Sequence, residues 1–499
     1  MSNHITSGFD YDLLVVGGGI NGAGIARDAA GRGLSVLLVE QDDLAAHTSS
    51  ASTKLIHGGL RYLEHYEFRL VRKALAEREI LLRQAPHIAW PMRFVLPHEA
   101  HLRPMWMIRA GLFLYDHLAT RSWLPGSRSI DLRRHVAGMP LRDEYARGFE
   151  YSDGWVDDAR LVVLNAMDAA ARGAHILTRT RLTHARPCGS GWVARLESAA
   201  QSKQVHVRAI ANAAGPWAQA LLAGPFAQAQ PRTLRLVRGS HIVVPRIFEH
   251  GYAYIFQHID GRVVFAIPYE GAFTLIGTTD YEVRDPKQTQ PSEDEITYLI
   301  SAANRYFVTP LKREQVVHAF GGIRPLLDDG ANAAAVTRDY ALELNNDANA
   351  PLLNVFGGKI TTYRRLAEEA LSMLASALGC TAGAWTAHTS LPGGDLPTTH
   401  DPQQGFSAYV AALSARFPRH PPRQILRLAR TYGTFAEAML ADERSNVCAD
   451  VGPAELEHAF KREWARDADD FLWRRTKLGL HLTPEARIRI TEWFSNAGA

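Results

Sequence analysis

Tyr11-Asp12-Leu13-Leu14-Val15-Val16-Gly17-Gly18-Gly19-Ile20-Asn21-Gly22-Ala23-Gly24 is followed, a helix length later, by Ser35-Val36-Leu37-Leu38-Val39-Glu40. A short apolar run, a glycine turn, small residues at helical spacing and a second apolar run predict a strand, a helix and a parallel strand. Gly31-Arg32-Gly33 closes the helix, because glycine accepts the left-handed backbone that follows a C-cap. Gly17, Gly19 and Gly22 carry the spacing G-x-G-x-x-G, and Glu40 ends the next strand. Gly17 permits the tight turn, Gly19 lets backbone approach a pyrophosphate, and Gly22 brings the helix close to the sheet. The unpaired amides of the helix N-terminus then face phosphate. Glu40 is placed to accept hydrogen bonds from the adenosine ribose, and its charge disfavours a 2′-phosphate. This reading predicts a dinucleotide site and leaves NAD and FAD both open.

Working outward, 499 residues with 46% hydrophobic content exceed what one core accommodates, so two or three domains are expected. A charged fraction of 21% and a formal net charge of +3 argue against a disordered chain and a nucleic-acid partner. A pI near 8.7 suits an enzyme with small acidic substrates, or one resting on anionic lipid. Cys188, Cys380 and Cys448 lie far apart without a CxxC pair, so neither disulfides nor a metal site is expected, and a reducing cytoplasm fits. Residues 1–9 do not read as a signal peptide. The most apolar stretch, 106–119, is interrupted by Arg109, Asp116 and His117 and is too short to span a bilayer, so membrane attachment is expected to be peripheral.

Charges alternating with Leu, Val and Ile over 67–84 predict an exposed amphipathic helix, and 86–140 reads as an irregular, partly helical insertion. A helix over 158–172 and strands over 176–214, with a hairpin at Gly189-Ser190-Gly191, are expected to return to the first sheet. Alternating runs at 241–244, 252–257, 262–267 and 273–277 predict an inserted antiparallel sheet. Beyond Pro392 helices follow at 423–432, 453–464 and 484–494, the last with Thr483 as N-cap and Pro484 in the first turn. Two strand ends bear on the cofactor. Ala213-Ala214-Gly215-Pro216-Trp217 could lie beside a dinucleotide, and the amides of Gly357-Gly358-Lys359-Ile360-Thr361-Thr362 could receive a flavin's pyrimidine end. Each also reads as an ordinary strand end or helix cap.

Thr48-Ser49-Ser50-Ala51-Ser52-Thr53-Lys54-Leu55-Ile56-His57-Gly58-Gly59-Leu60-Arg61-Tyr62-Leu63 resembles the signature of FAD-dependent, quinone-linked glycerol-3-phosphate dehydrogenases of the aerobic bacterial type. Collinear likenesses follow at 151–161, 238–245, Ile276-Gly277-Thr278-Thr279-Asp280, Ile323-Arg324-Pro325-Leu326 and 356–363, and continue more weakly into the C-terminal helices. The resemblance implies an α/β and α+β fold: a glutathione-reductase-like (DAO-type) FAD-binding Rossmann domain, an inserted antiparallel-sheet substrate domain and a C-terminal all-α domain. The FAD domain is expected over 1–75, 150–233 and 330–394, the substrate domain over 76–149 and 234–329, and the helical domain over 395–499. Implied cofactor-binding residues are Gly17, Gly19, Ile20, Asn21, Gly22, Glu40 and Gln41, then Thr48, Ser49, Ser50, Ser52, Thr53, Lys54, His57, Gly58 and Gly59. Ala213, Ala214, Gly215, Trp217, Gly322, Arg324, Gly358, Lys359, Ile360 and Thr361 complete the set. Implied too are oxidation of sn-glycerol 3-phosphate to dihydroxyacetone phosphate by hydride transfer from C2 to FAD, ubiquinone or another membrane quinone as acceptor, and a homodimer.

A small phosphate dianion asks for fixed cations, and arginine matches phosphate oxygens better than lysine. Arg61 and Arg324 match family positions that contact substrate, and Tyr62 adds a hydroxyl beside Arg61. Removing hydride from a secondary alcohol requires a group that takes the hydroxyl proton. His241 and Lys359 are the candidates, unranked between base and electrostatic support. Arg69, Arg72, Lys73, Arg83, Arg93, Arg103 and Arg109, interleaved with Trp90, Met105, Trp106, Met107 and Phe113, read either as a patch for the inner face of the cytoplasmic membrane or as an ordinary packed insertion. Two other readings stay open: an oxidase of the same fold that reduces oxygen to peroxide, and a non-catalytic or tRNA-associated flavoprotein.

Overall fold

The computed structural model describes residues 8–99, 103–228, 232–258, 261–327, 339–346, 349–397 and 399–497. Its first sheet is built around β1 (Tyr11–Val16), parallel to β2 (Val36–Val39) on one side and to β10 (Ser202–Asn212) on the other. β7 (His175–Leu177) extends it beyond β2, and β18 (Leu352–Phe356) beyond β10, with β17 (Ala341–Asn345) antiparallel at the edge. The hairpin of β8 (Arg181–Cys188) and β9 (Gly191–Glu197) turns through Gly189 and joins β10. Strand β1 is apolar from Leu13 to Val16 because both faces are covered there: Leu13 and Val15 enter one core, Leu14 and Val16 the other. On the first face lie α1 (Ile20–Gly31), α4 (Asp158–Ala171) and α7 (Tyr363–Leu378); on the second, α5 (Ala218–Ala223).

The second sheet runs β15 (Tyr281–Val283), β11 (Leu234–Pro245), β14 (Phe273–Gly277), β13 (Val263–Tyr269), β12 (Ala253–Gln257), β4 (Ala89–Pro97), β6 (Arg147–Val156) and β3 (Leu55–Ile56). β16 (His318–Leu327) pairs with β11, and β5 (Arg128–Asp131) with β6. α6 (Glu293–Tyr306), closed at its start by a Ser292–Glu295 capping box, packs on one face. On the other face lie α2 (Phe68–Gln84) and α3 (Met105–His117). The remaining helices, α8 (Pro402–Arg416), α9 (Pro422–Tyr432), α10 (Ala436–Leu440), α11 (Pro453–Arg462) and α12 (Pro484–Ala497), enclose two cores of their own, and a π-helical turn spans Asp470–Arg475. Thr483 Oγ1 accepts from the Ala486 amide at 3.3 Å, the capping expected there.

Three expectations are corrected. The insertion at 86–140 holds an ordered nine-residue strand, β4, in the middle of the second sheet. The expected boundary between 149 and 150 cuts β6, whose whole length belongs to that sheet, as does β3 from within the expected first FAD segment. Helix α2 is largely buried, not exposed, because its charges meet partners from distant elements: Arg364 Nη2–Glu77 Oε1 at 2.6 Å and Arg78 Nη1–Asp153 Oδ1 at 2.8 Å. Of the expected segments, residues 1–7, 100–102, 229–231, 259–260, 328–338, 347–348, 398 and 498–499 lie outside the described residues.

Candidate active site

One cavity of about 950 Å³ runs from the C-terminal ends of β1, β2 and β10 to the face of the second sheet. At its nucleotide end Gly17 has φ +114°, and a Cβ there would come 2.5 Å from Ala213 O, so the turn after β1 touches the turn after β10. A Cβ at Gly22 would sit 1.9 Å from Gly17 O, which fixes how closely α1 seats on the sheet. Glu40 Oε2 accepts from the Gly18 amide at 2.6 Å and Oε1 from the Asp42 amide at 2.9 Å. Burial pushes the Glu40 carboxyl upward, against the pull of those two amides. His47, which the sequence reading missed, pairs with Asp42 Oδ2 at 2.8 Å and lies 4.4 Å from the Trp217 ring. Behind this loop Asp43 is clamped by the C-terminal domain: Arg474 Nε at 2.6 Å and both terminal nitrogens of Arg475 at 2.7 Å.

At the far end, Gly357 and Gly358 adopt positive φ between β18 and α7, and Asn21 Nδ2 donates to Gly357 O at 3.0 Å. This cross-brace ties the start of α1 to the second glycine turn. Lys359 Nζ lies 3.8 Å over the Tyr62 ring. Arg324, on β16, pairs with Asp280 and donates to Thr278 Oγ1 at 3.2 Å. Among the described residues Arg61 makes no ion pair. His241 is 1% exposed and stacks on Phe320 with centroids 5.1 Å apart. Its Nε2 lies 3.0 Å from Thr53 Oγ1, while Nδ1 is buried with no hydrogen-bond partner among the described residues. Burial, reinforced by the Arg324 and Lys54 cations, holds this imidazole well below its ordinary pKa, so it is neutral near pH 7. Burial likewise lowers His57, with Asp153 opposing.

Arg61, Tyr62, His241, Arg324 and Lys359 therefore line one cavity together with Gly17, Gly19, Ile20, Asn21, Glu40, Gln41, Thr48, Ser49, Ser52, Thr53, His57 and Gly59. Ala213, Ala214, Gly215, Trp217, Gly322, Gly358, Ile360 and Thr361 line it as well. Gly22, Ser50, Lys54 and Gly58 do not. Gly22 packs inside α1, Ser50 Oγ donates to His47 O, Gly58 N donates to Tyr115 Oη at 2.8 Å, and Lys54 Nζ is buried 2.6 Å from Asp158 Oδ1. Hydroxyls of the Ser/Thr run also turn to the protein: Thr48 Oγ1 to Ile323 O at 2.7 Å, Ser52 Oγ to Asp158 Oδ2 at 2.8 Å, and Ser49 Oγ from Ile20 N at 3.0 Å. This run shapes the wall by internal bonds that spacing alone does not disclose. Thr278, Asp280, Gly239 and the apolar wall of Ile255 and Phe265 were also missed, since only strand register brings them to the cavity.

The expected membrane patch divides. Trp106, Met107, Phe113, Arg69, Arg72 and Arg103 are exposed, but Met105 packs on the core and Arg93 Nε binds Glu150 at 2.7 Å. Lys73 binds Tyr340 and Glu369, Arg109 binds Ser127, and Trp90 lies under Arg430. No helix among the described residues is long and apolar enough to cross a membrane.

Residues 12–364 match the model of the FAD dependent oxidoreductase family, and 384–492 that of the C-terminal domain of alpha-glycerophosphate oxidase. The chain is 51% identical over 496 residues to glycerol-3-phosphate dehydrogenase of Pseudomonas aeruginosa, covering 97% of this chain and 95% of that one. The chain belongs to the FAD-dependent glycerol-3-phosphate dehydrogenase family. It is also 50% identical over 497 residues to D-erythritol 1-phosphate dehydrogenase of Brucella abortus, covering 97% of this chain and 98% of that one. Among solved structures it resembles the FAD complex of glycerol-3-phosphate dehydrogenase from Bacillus halodurans, with TM-score 0.79 and 26% identity over 98% of this chain and 90% of that one. FAD is the family's cofactor, and the cradle fits it: Gly17, Gly18 and Gly19 line the cavity with backbone alone at the start of α1, where a pyrophosphate would be held, and Glu40 lines it at the end of β2, where it would meet the ribose.

Proposed function

We propose that this chain oxidises sn-glycerol 3-phosphate to dihydroxyacetone phosphate and passes the electrons to a membrane quinone. The observation that carries the reading is the convergence of Arg61, Arg324 and Lys359 with a neutral, buried His241 at the end of the cavity away from the ribose site. When bound, FAD supplies the acceptor for the hydride leaving C2. Arg61, which pairs with no carboxylate among the described residues, grips the phosphate, whereas Arg324 is shared with Asp280 and orients the glycerol end. His241, unprotonated near neutral pH, takes the hydroxyl proton, and Lys359 stabilises the negative charge that develops beside it. The Tyr62 ring beneath Lys359 holds that ammonium over the site.

Membrane contact is assigned to the exposed part of α3, Trp106, Met107 and Phe113, with Arg69, Arg72 and Arg103 for anionic headgroups. On this reading the chain works in the cytoplasm, bound peripherally to the inner membrane face.

D-erythritol 1-phosphate is the second reading, favoured by the 50% identity to the Brucella abortus enzyme. Steady-state kinetics with a soluble quinone and each phosphate decides. At least a tenfold higher kcat/KM for glycerol 3-phosphate is expected, and the reverse preference overturns the substrate assignment. Stoichiometric peroxide in air without quinone overturns the acceptor.

A further inference from the structure

The C-terminal domain reaches the reactive histidine through a ladder of rings. Trp473, in the π-helical turn, stacks on His318 with centroids 4.4 Å apart and planes 13° from parallel. A Cβ on Gly479 would come 2.5 Å from Trp473 Cε2, so the indole lies directly against that glycine. His318 and Phe320 share one face of β16, two residues apart, with ring centroids at 5.9 Å. Phe320 is the direct cross-strand partner of His241, and their rings stack at 15°. β11 runs between β16 and β14, so the other cross-strand partner of His241 is Gly277, where a Cβ would come 2.1 Å from His241 Cδ2. The imidazole is thus held on its two sides by the Phe320 ring and the Gly277 backbone, while it still lines the cavity.

We propose that Trp473, through His318 and Phe320, is a positioning residue that fixes the plane of the His241 imidazole, giving the C-terminal domain a part in proton removal. The inference rests on the reading of His241 as proton acceptor. Dense packing transmits a shift at one rung to the next, and a displacement of about 1 Å in a reacting group costs on the order of 100-fold in rate. Three features separate this contact from ordinary interdomain packing. Ring contacts run unbroken from Trp473 to His241, stacked at both ends and tilted by 33° between His318 and Phe320, glycines flank both ends, and the middle rungs stand on the strand paired with that of the histidine.

The test is stopped-flow reduction of the bound flavin by saturating sn-glycerol 3-phosphate without oxygen, on the full-length holoenzyme. Trp473→Ala is expected to slow reduction at least tenfold while FAD content and substrate Kd stay within twofold, and Trp473→Phe to recover within threefold of the parent. Should Trp473→Ala not fold, His318→Ala, which removes a middle rung and leaves the sequence of the C-terminal domain unchanged, is expected to show the same loss and His318→Phe the same rescue. Parent-like reduction in the alanine variant that folds, or no recovery with phenylalanine, overturns the proposal. His241→Ala separates the two readings. Parent-like reduction in it removes the histidine from proton transfer and the ladder's purpose with it, whereas a slow His241→Ala beside fast Trp473→Ala and His318→Ala overturns the ladder alone.

Discussion

A methyl group at position 277 would meet the His241 ring at 2.1 Å, in a strand whose backbone is pinned on both sides. Neither partner can yield without moving the imidazole, so Gly277→Ala is expected to lower the rate of flavin reduction at least tenfold while the protein still retains FAD. Anaerobic reduction kinetics beside the absorbance ratio of flavin to protein checks both halves. The glycines of the nucleotide turn were legible in the sequence because their spacing is local: strand, turn and helix are contiguous from Tyr11 to Gly31. Gly277 stood inside a recognised motif, yet its reason was hidden. The side chain it spares lies across a strand pairing, and register between strands is a tertiary fact.

At the level of elements, charge is the quantity that misled. Helix α2 carries Glu77, Arg78 and Glu79 in succession, which reads as a solvated face, but all three are buried against Arg364, Asp153 and each other. A charge run declares a water-facing helix only when no opposite charge arrives from elsewhere, and residues from 153 and 364 arrive here. The antiparallel runs of the second sheet were readable by period-two alternation, while β4 was masked by its prolines and arginine. The loop after β2 makes a prediction of its own. Asp43 bears two arginines of the C-terminal domain; Arg474 also pairs with Asp470, but Asp43→Asn leaves the fully buried Arg475 without its carboxylate and is expected to destabilise the protein by about 3–5 kcal/mol. Because Asp43 lies three residues from Glu40, bound FAD should also be released at lower urea than the parent requires. Urea unfolding followed by flavin and tryptophan fluorescence reads both, and an unchanged midpoint refutes the clamp.

At the level of the whole molecule, among the described residues the buried His87 and His241 and the half-buried His57 are held below their ordinary pKa by desolvation, His87 down to about 3. The unfolded chain therefore takes up protons near pH 6.5 that the folded chain refuses. The stability they contribute is complete above about pH 6.5 and is lost as the pH falls towards their folded values, at up to about 1.4 kcal/mol per histidine and pH unit. The Tm of the holoenzyme is expected to drop steeply between pH 7 and pH 5, and a flat profile over that range would show that these imidazoles are not buried as neutral groups.

The order of strands in the first sheet carries a consequence for how the protein is made. β9 covers the first half of the edge of β10 that faces away from β1, but Ile210–Asn212 on that edge pair with β18, some 140 positions further along the chain. Until then the nascent polypeptide presents an apolar, unpaired strand edge to its surroundings, the kind of surface that invites aggregation and chaperone capture. A chain cut short before residue 352 keeps that part of the edge open and lacks the second glycine turn of the cradle, Gly357–Gly358.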